Sequence, residues 1–430
     1  MTHTDIPPRY PFRTDMPSLW AVIGKGVSDA YSTIPQTILC EPAVQLAGGR
    51  HGAPLVVSDP ALARAVLQDR EGNFMRHPNM RRLMRRSWGH GIGAAEGEDW
   101  RRQRKAATPA FTPAAVERRI AQFALAAGKA ASEWPQDERV DLPDIVARII
   151  ADIVFTVLVD GKGAVDTGAV AADLPGYMRR IASFDSLDLL PLPEALHDWR
   201  AGIAGDPAVR HLRAVARSLT ARRAGSDDMI ALLEEVGPVE DNILGLMPAA
   251  MDTTVWGTSW VLHTLASQPA WQALVAQEAR DCGDALTLDR LPVTRRVVQE
   301  VLRLYPPAPL VVRAASKRQE LGGFPLVKGH TVTISIYAMQ RHRGFWDAAD
   351  TFDPDRFLPE RLGNNPAYMP FGIGPRMCIA AQFALAEIAV VVARLLADLD
   401  LAPAGPAPRV TLQVTTRSAT GLGVVAQRRG

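Results

Sequence analysis

Segments with helical hydrophobic periodicity dominate this chain and limit the folds open to it. Apolar residues recur at the spacing of one helix face, which predicts amphipathic helices instead of strands. The longest such segment, 240–267, exceeds the length of any ordinary strand. We predict helices at 60–69, 98–106, 113–133, 142–159, 240–267, 270–281, 292–304 and 380–398.

Strand signals are short by comparison and fall in a few places. Ala43–Leu46 and Pro54–Val57 flank a Gly-Gly pair and predict a hairpin. Another strand is predicted within Val327–Ile336, and a further one at Val410–Val414, where apolar and polar residues alternate. With no internal repeat or low-complexity linker, the sequence predicts one large α+β domain, mainly α with small β-sheets.

Charge and cysteine content exclude several classes of function. The 48 Lys and Arg residues balance 46 Asp and Glu residues, which argues against a dedicated nucleic-acid binder. Cys40, Cys282 and Cys378 lie far apart and are odd in number, so neither a disulfide framework nor a structural zinc site is expected. We find no signal peptide and no membrane-spanning run. We predict one soluble cytoplasmic domain over 1–430, with 1–40 as an N-terminal segment, no membrane anchor and no fused reductase.

One cysteine lies in a glycine-rich loop directly before an apolar helix, in the segment Phe371-Gly372-Ile373-Gly374-Pro375-Arg376-Met377-Cys378. A thiol at the start of a helix experiences the positive end of the helix dipole, which favours the thiolate. Gly372 and Gly374 allow tight turns and the close approach of a flat ligand. Arg376 can pair with a carboxylate of that ligand. A buried structural cysteine is the alternative interpretation.

Two residue pairs have helical spacing. Glu300 and Arg303 are three residues apart, and Trp100 and Arg104 are four apart, so each pair shares one helix face. Pairs of this kind are often solvated surface pairs. Arg101, Arg102 and Lys105 on the other faces of the Trp100 helix form a basic surface for an acidic electron carrier or contact solvent.

The segment Asp252-Thr253-Thr254 places polar residues in the middle of the longest apolar helix. These residue types compete with helical hydrogen bonding, so their presence there is unusual. Pro248 cannot donate to the carbonyl of Leu244, which predicts a local kink. A tolerated polar patch is the alternative to a functional site.

Together these segments resemble the cytochrome P-450 superfamily over essentially the whole chain. The haem-binding pattern F-x-x-G-x-R-x-C-x-G is matched by Phe371, Gly374, Arg376 and Cys378, with Ala380 in place of the last glycine. Asp252-Thr253-Thr254 follows the family's A-G-x-D-T-T pattern, with Ala250 in place of glycine. Phe352–Phe357 resembles the loop that returns an arginine to the E-x-x-R pair. The motifs occur in the family's order.

The resemblance implies the cytochrome P-450 fold, with haem b between the long distal helix and the helix after the cysteine loop. Cys378 would be the iron ligand, because a thiolate favours cleavage of the O–O bond. Asp252 and Thr253 would be catalytic, relaying protons and orienting dioxygen. The implied cofactor-binding residues are Trp100, Arg104, Ala250, Arg313, Phe371, Gly372, Arg376 and Cys378. The implied structural triad is Glu300, Arg303 and Arg356.

The resemblance also implies a monooxygenase that inserts one oxygen atom of O2 into a hydrophobic small molecule such as a fatty acid, terpenoid or aromatic. Electrons would come from separate proteins, a ferredoxin and its reductase, to a monomeric bacterial-type enzyme. The predicted substrate-pocket residues are Met247, Met251, Leu310 and Val311. A peroxide-driven or radical-coupling relative and a non-catalytic haem sensor or carrier are the alternatives.

Overall fold

Helices form most of the structure, as their hydrophobic periodicity predicts. The computed structural model describes residues 7–18, 21, 30–47, 53–157, 165–181, 206–221, 229–234, 236–283, 285–412 and 414–429. Its helices are α1 Pro60–Leu67, α2 Pro78–Trp88, α3 Gly97–Ala107, α4 Pro113–Glu117, α5 Ile120–Ser132, α6 Leu142–Val157, α7 Thr167–Ile181, α8 Pro207–Thr220, α9 Met229–Glu234, α10 Val239–Ala266, α11 Pro269–Cys282, α12 Pro292–Leu304, α13 Ile336–Met339, α14 Pro359–Leu362 and α15 Ala381–Asp398.

Short strands form small sheets beside the helices. The strands are β1 Ala43–Gln45, β2 Leu55–Val57, β3 Phe74–Arg76, β4 Val140–Asp141, β5 Leu310–Ala315, β6 Gln319–Leu321, β7 Phe324–Leu326, β8 Thr331–Ser335, β9 Leu399–Pro403, β10 Val410–Leu412, β11 Thr416–Ser418 and β12 Gly423–Arg428. Five of them form a sheet in the order β1-β2-β8-β5-β3. In this sheet β2 and β8 are parallel and the other neighbours are antiparallel. Smaller sheets have the order β4-β12-β9, β6-β7 and β10-β11.

The helical core forms around α10 and α15. Helix α10 packs against α6, and α15 packs against α5 and α11. Both central helices are apolar on several sides, so most of their side chains are buried, and a helix of this kind belongs in a core. A second apolar cluster lies on the five-stranded sheet and includes Leu55, Val57 and Ile334. The region before α15 lies where these two parts of the core meet.

The predicted helices agree with the structure apart from one division. The segment 113–133 is two helices, α4 and α5, because the chain makes a tighter turn at Arg118 and Arg119. There the Arg119 N–H donates to the Val116 carbonyl, three residues back instead of four. Helix α10 continues through Pro248, so this proline does not end the helix.

The predicted hairpin is present as the antiparallel pair β1 and β2, and the Gly-Gly turn between them lies outside the described residues. The strand within Val327–Ile336 is β8 and the one at Val410–Val414 is β10. The sequence analysis did not predict helices α2, α7, α8 and α9, nor β3, which is only three residues long.

Candidate functional site

The cysteine loop is closed by its own backbone hydrogen bonds. The Cys378 N–H donates to the Phe371 carbonyl at 2.9 Å, and the Met377 N–H donates to the Gly374 carbonyl at 3.1 Å. Phe371 itself is half-buried and packs on the helical core, which anchors the start of the loop. Cys378 therefore leaves the loop at a defined place, three residues before α15 begins.

Two glycines of the loop have left-handed backbone conformations, with φ of 69° at Gly372 and 79° at Gly374. A Cβ on Gly374 would lie 2.2 Å from the carbonyl oxygen of Leu67, at the end of α1. Close packing of backbone on backbone therefore favours glycine at position 374. A Cβ on Gly372 would meet no atom of the described residues within 4 Å. This glycine remains compatible with the predicted ligand contact.

The Cys378 thiol lies in a concave part of the protein. The residue is exposed to water, yet it is surrounded densely enough that burial raises the pKa of the thiol. The Ala380 N–H and the Arg104 guanidinium act in the opposite direction and lower this pKa, by less than burial raises it. The predicted effect of the helix start is thus present but does not produce a thiolate by itself. Coordination of the sulfur to a metal cation, which displaces the proton, would produce the thiolate.

Arginine side chains converge beside the cysteine loop. Arg376 donates from Nη2 to the Ala95 carbonyl at 3.1 Å, and its guanidinium carbon lies 4.4 Å from the centre of the Trp100 ring. Arg104 donates from Nη1 to the Met377 carbonyl at 2.9 Å. Arg313, on β5, interacts electrostatically with Arg376. The structure therefore brings together the predicted residues Trp100, Arg104, Arg313 and Arg376.

Two further residues of this arginine cluster were not predicted from the sequence. Arg76 lies on β3 directly opposite Arg313, and its side chain is only 9% exposed. Burial, reinforced by the charge of Arg376, lowers the pKa of Arg76 to about 10. Glu96 bridges the cluster, with Oε1 3.2 Å from Nε of Arg76 and Oε2 2.6 Å from Nη2 of Arg376. Only the pairing of β3 with β5 reveals Arg76, since a three-residue strand carries almost no periodicity.

The arginine cluster fits a ligand that carries carboxylates. Nη1 of Arg376 is buried and has no hydrogen-bond partner in the part of the chain that the structure describes. A buried guanidinium N–H without an acceptor is costly unless a ligand supplies one. Haem b has propionate carboxylates and an iron that accepts a thiolate, so its chemistry matches both the arginine cluster and Cys378.

Beyond its first turn, helix α10 is buried apart from one partly exposed stripe. Leu246, Ala249, Ala250, Thr253 and Trp256 form it at helical spacing. The Thr253 hydroxyl donates to the Ala249 carbonyl at 2.7 Å. Small side chains at Ala249 and Ala250 keep this surface shallow, so a ligand can approach the helix closely.

The predicted pocket residues divide into two groups. Met247 and Met251 are 4% and 0% exposed and belong to the helical core, because they lie on a different face of α10 from Thr253. They do not line an accessible surface in this structure, and the exposed stripe of α10 takes that place. Leu310 and Val311 on β5 are both half-buried, so they remain available to line a pocket.

The Asp252 carboxylate is hydrogen-bonded to side chains within and just before strand β11. It accepts hydrogen bonds from Nη2 of Arg417 at 2.9 and 3.0 Å and from the Thr415 hydroxyl at 2.9 Å. Burial raises the pKa of Asp252, and Arg417 and Thr415 offset part of this rise. The sequence did not predict Thr415 or Arg417, since they lie more than 160 residues away along the chain.

A cleft of about 280 Å³ borders this ion pair. Asp252, Trp256 and Arg417 line it together with Asp144 and Arg148 of α6. The Arg417 guanidinium carbon also lies 5.6 Å from the centre of the Trp256 ring. Asp252 is therefore a buried acid that lies next to a charged cleft.

The predicted structural triad is assembled behind the loop. Arg303 donates to both oxygens of Glu300, at 2.7 and 2.8 Å, and both side chains are fully buried. Nε of Arg356 lies 3.4 Å from Oε1 of Glu300. Arg303 also donates to the Gln340 and Ala349 carbonyls, so the triad joins α12 to the segment after α13. Removing Glu300 or Arg303 would leave a buried charge without this partner, at a cost of about 3–5 kcal/mol.

Comparisons with known proteins identify the family of the chain. The family model for cytochrome P450 matches residues 40–191 and 237–418. The chain is 27% identical to Protein LUTEIN DEFICIENT 5, chloroplastic, of Arabidopsis thaliana, over 87% of this chain and 70% of that protein. It is 28% identical to taurochenodeoxycholic 6 alpha-hydroxylase of Sus scrofa, over 82% and 77%.

A bacterial relative and a solved structure extend the comparison. The chain is 28% identical to cyclooctatin synthase of Streptomyces melanosporofaciens, over 71% of this chain and 72% of that protein. A six-coordinate cytochrome P450 from Thermus thermophilus has the same fold, with a TM-score of 0.70 and 24% identity over 87% of this chain and 92% of that one. Among the described helices, none has the length and apolar character needed to cross a bilayer. The chain belongs to the cytochrome P450 family and is a haem b monooxygenase.

Proposed function

We propose that this protein inserts one oxygen atom of O2 into a hydrophobic small molecule, and that Cys378 would hold the iron of haem b through its thiolate. The observation that carries the proposal is the accessible Cys378 thiol beside a cluster of arginines, one of which has a buried N–H without an acceptor. The haem supplies activation of dioxygen, and the protein supplies orientation, electrostatics and protons.

The residues of the arginine cluster would hold the haem carboxylates. Arg376 offers its unpaired Nη1, while Arg76, Arg104 and Arg313 contribute positive charge and Trp100 packs on Arg376. Phe371 and Gly372 would lie against the haem on the cysteine side. Ala250 would lie on the opposite side, where its small side chain permits close contact.

Thr253 and Asp252 would divide the handling of protons between them. The Thr253 hydroxyl lies on the exposed stripe of α10, where it can orient dioxygen and pass on a proton. Asp252 is its neighbour in sequence and borders the charged cleft, so it would exchange protons with water there. Movement of the Arg417 side chain would release the Asp252 carboxylate toward Thr253.

The substrate is proposed to be apolar and to lie along the stripe of α10. Leu246 and Ala249, with Leu310 and Val311 of β5, offer apolar surface and few polar groups. One relative is named as a hydroxylase and another as a cyclooctatin synthase, which supports an oxidation of a fatty acid, terpenoid or aromatic compound.

Electrons are proposed to come from a separate ferredoxin and its reductase. Arg101, Arg102 and Lys105 are exposed on α3, the helix that also carries Arg104. Positive charge so close to the cysteine loop favours an acidic carrier. Monomeric state, bacterial origin and a cytoplasmic location remain predictions.

The test of this function is oxygen transfer from isotopically labelled dioxygen in the enzyme reconstituted with ferredoxin, reductase and NADPH. We expect one labelled oxygen atom in the product from a fatty acid, terpenoid or aromatic panel. Thr253→Ala should still consume NADPH but form at least tenfold less product per NADPH, because protons are misdirected. Thr258→Ala is the matched control, since Thr258 is a buried residue of the same helix and should leave the ratio unchanged.

The alternatives give different results in the same assay. A peroxide-driven or radical-coupling relative would form product from peroxide, or couple substrates, without incorporating labelled oxygen from O2. A sensor or carrier would bind haem and consume no dioxygen with any electron donor. Either result would contradict the proposed monooxygenase reaction.

A further inference from the structure

Glu96 is the one acidic side chain that contacts the arginine cluster within the described part of the chain. Its two oxygens reach different arginines, Arg76 at 3.2 Å and Arg376 at 2.6 Å. These arginines come from β3 and from the cysteine loop, so Glu96 ties together two parts of the site that are 300 residues apart in sequence. It is half-buried, with its side chain 35% exposed, and charges in such places are only partly screened by water.

The position of Glu96 in its own helix does not account for this carboxylate. Glu96 is the N-cap residue of α3, where an acidic side chain commonly accepts a hydrogen bond from the first helical N–H groups. Here the side chain makes no capping hydrogen bond and instead bridges the two arginines. The carboxylate therefore serves the arginine cluster and not the helix end.

The arginine cluster carries an excess of positive charge, which Glu96 reduces. Arg76, Arg313 and Arg376 interact as like charges, and Arg81 adds to the repulsion on Arg76 and Arg376. Glu96 acts in the opposite direction on Arg76, Arg313 and Arg376. The two propionate carboxylates of haem b would offset more of the positive charge. Glu96 is thus the protein's own contribution to balancing these arginines among the described residues.

We infer that Glu96 is a positioning residue for haem, which holds Arg76 and Arg376 in place and lowers the reduction potential of the bound haem. The inference rests on the proposed haem binding at Cys378 and names a residue outside the predicted haem contacts. A fixed negative charge near the haem disfavours the added electron of the reduced form. Hydrogen bonding and charge around a haem are the means by which proteins set its potential.

The experiment measures the midpoint potential of the haem-loaded full-length protein by spectroelectrochemical titration. Glu96→Gln keeps the shape of the side chain and removes its charge, so we expect a higher potential than in the wild type. Glu98→Gln is the matched control, because Glu98 is exposed on the same helix two residues further on. It should leave the potential unchanged.

A double variant separates charge from fold. Arg76→Gln alone should lower the potential, and Glu96→Gln combined with Arg76→Gln restores the net charge and should return the potential toward the wild-type value. If Glu96→Gln alone fails to hold haem, recovery of haem binding in the double variant still supports the inference. Haem titration of the unloaded protein provides this second readout.

Equal midpoint potentials for Glu96→Gln and Glu98→Gln would overturn the inference. If Glu96→Gln fails to hold haem, a double variant that binds haem no better than Glu96→Gln would also overturn it. These results leave the proposed function intact, because they presuppose a wild-type protein with thiolate-ligated haem. Failure of the wild type to bind haem through Cys378 would instead contradict the proposed function itself.

Discussion

Glu387 places a carboxyl group inside the interface between α15 and the distal helix α10. Its side chain is 1% exposed, and Oε1 has no hydrogen-bond partner among the described residues. Burial raises the pKa of Glu387 well above its usual value, and a hydrogen bond with Thr254 offsets only part of this rise. The raised pKa favours the neutral form of this carboxyl in the folded protein, because burial disfavours its charge and no cation among the described residues offsets that effect.

This neutral carboxyl predicts a specific dependence of stability on pH. The folded pKa lies above the unfolded one, so the contribution of Glu387 is fully present below about pH 4.5 and decreases as the pH rises toward the folded pKa. Across that window the decrease is at most about 1.4 kcal/mol per pH unit. The glutamine in Glu387→Gln cannot ionise. The free energy of unfolding of this variant, measured relative to that of the wild type, should therefore increase as the pH rises.

Urea unfolding at several pH values above 4.5 measures this difference. Glu117→Gln is the control, because Glu117 is exposed on α4 and should follow the wild-type curve. Parallel curves for the wild type and Glu387→Gln would show that Glu387 is ionised in the folded protein.

Single residues were predictable where their contact is local and visible in a motif. The Glu300–Arg303 pair is of this kind, because its members are three residues apart on one helix. Residues that matter through their neighbours were not: Glu96 resembles any helix-capping acid until Arg76 and Arg376 are placed beside it. Met251 was predicted to line the pocket because it lies in α10, the helix that carries Thr253. Its side chain lies on a different face of α10, however, and is buried in the core.

At the scale of elements, the cysteine loop depends on contact with the end of α1. Gly374 lies directly on the Leu67 carbonyl, whereas Gly372 has the same left-handed backbone and no atom of the described residues near its missing Cβ. A side chain at Gly372 would therefore cost only the free energy of the left-handed backbone, whereas one at Gly374 would add the free energy of a steric clash.

Alanine at each position predicts two different losses of stability. Gly372→Ala should lower the free energy of unfolding by about 1–2 kcal/mol, the cost of a left-handed alanine. Gly374→Ala adds overpacking against a backbone atom, so a loss of about 2–5 kcal/mol is expected. Urea unfolding of the haem-loaded variants checks this order. A loss in Gly374→Ala no larger than that in Gly372→Ala would contradict the described packing on Leu67.

Several long helices with an apolar face were predictable, and α10, α12 and α15 match their predicted bounds to within one residue. Helices α2, α7 and α8 were missed, although the proline at the start of α2 and the glycine after its end are typical helix signals. Strand β5 was missed because its partner β3 comes from a distant part of the chain. Pairing across such separations has no local signal.

The whole molecule holds the loop in place through long-range contacts that sequence periodicity cannot show. The triad of Glu300, Arg303 and Arg356 ties α12 to the segment before the cysteine loop. Arg417 near the C-terminus holds Asp252 in the distal helix. The order of motifs predicted the fold class, while the cleft, the Arg417 contact and the Glu96 bridge required the assembled structure.

The most direct test of the account is the absorbance difference spectrum of the dithionite-reduced protein with and without carbon monoxide. Thiolate ligation by Cys378 predicts a strongly red-shifted Soret band, which Cys378→Ala should abolish. Cys40→Ala is the control, because Cys40 is also exposed but lies outside the loop, and it should keep the band. A histidine-type band that persists in Cys378→Ala, or the absence of any haem signal, would contradict the assignment of Cys378 as the haem ligand.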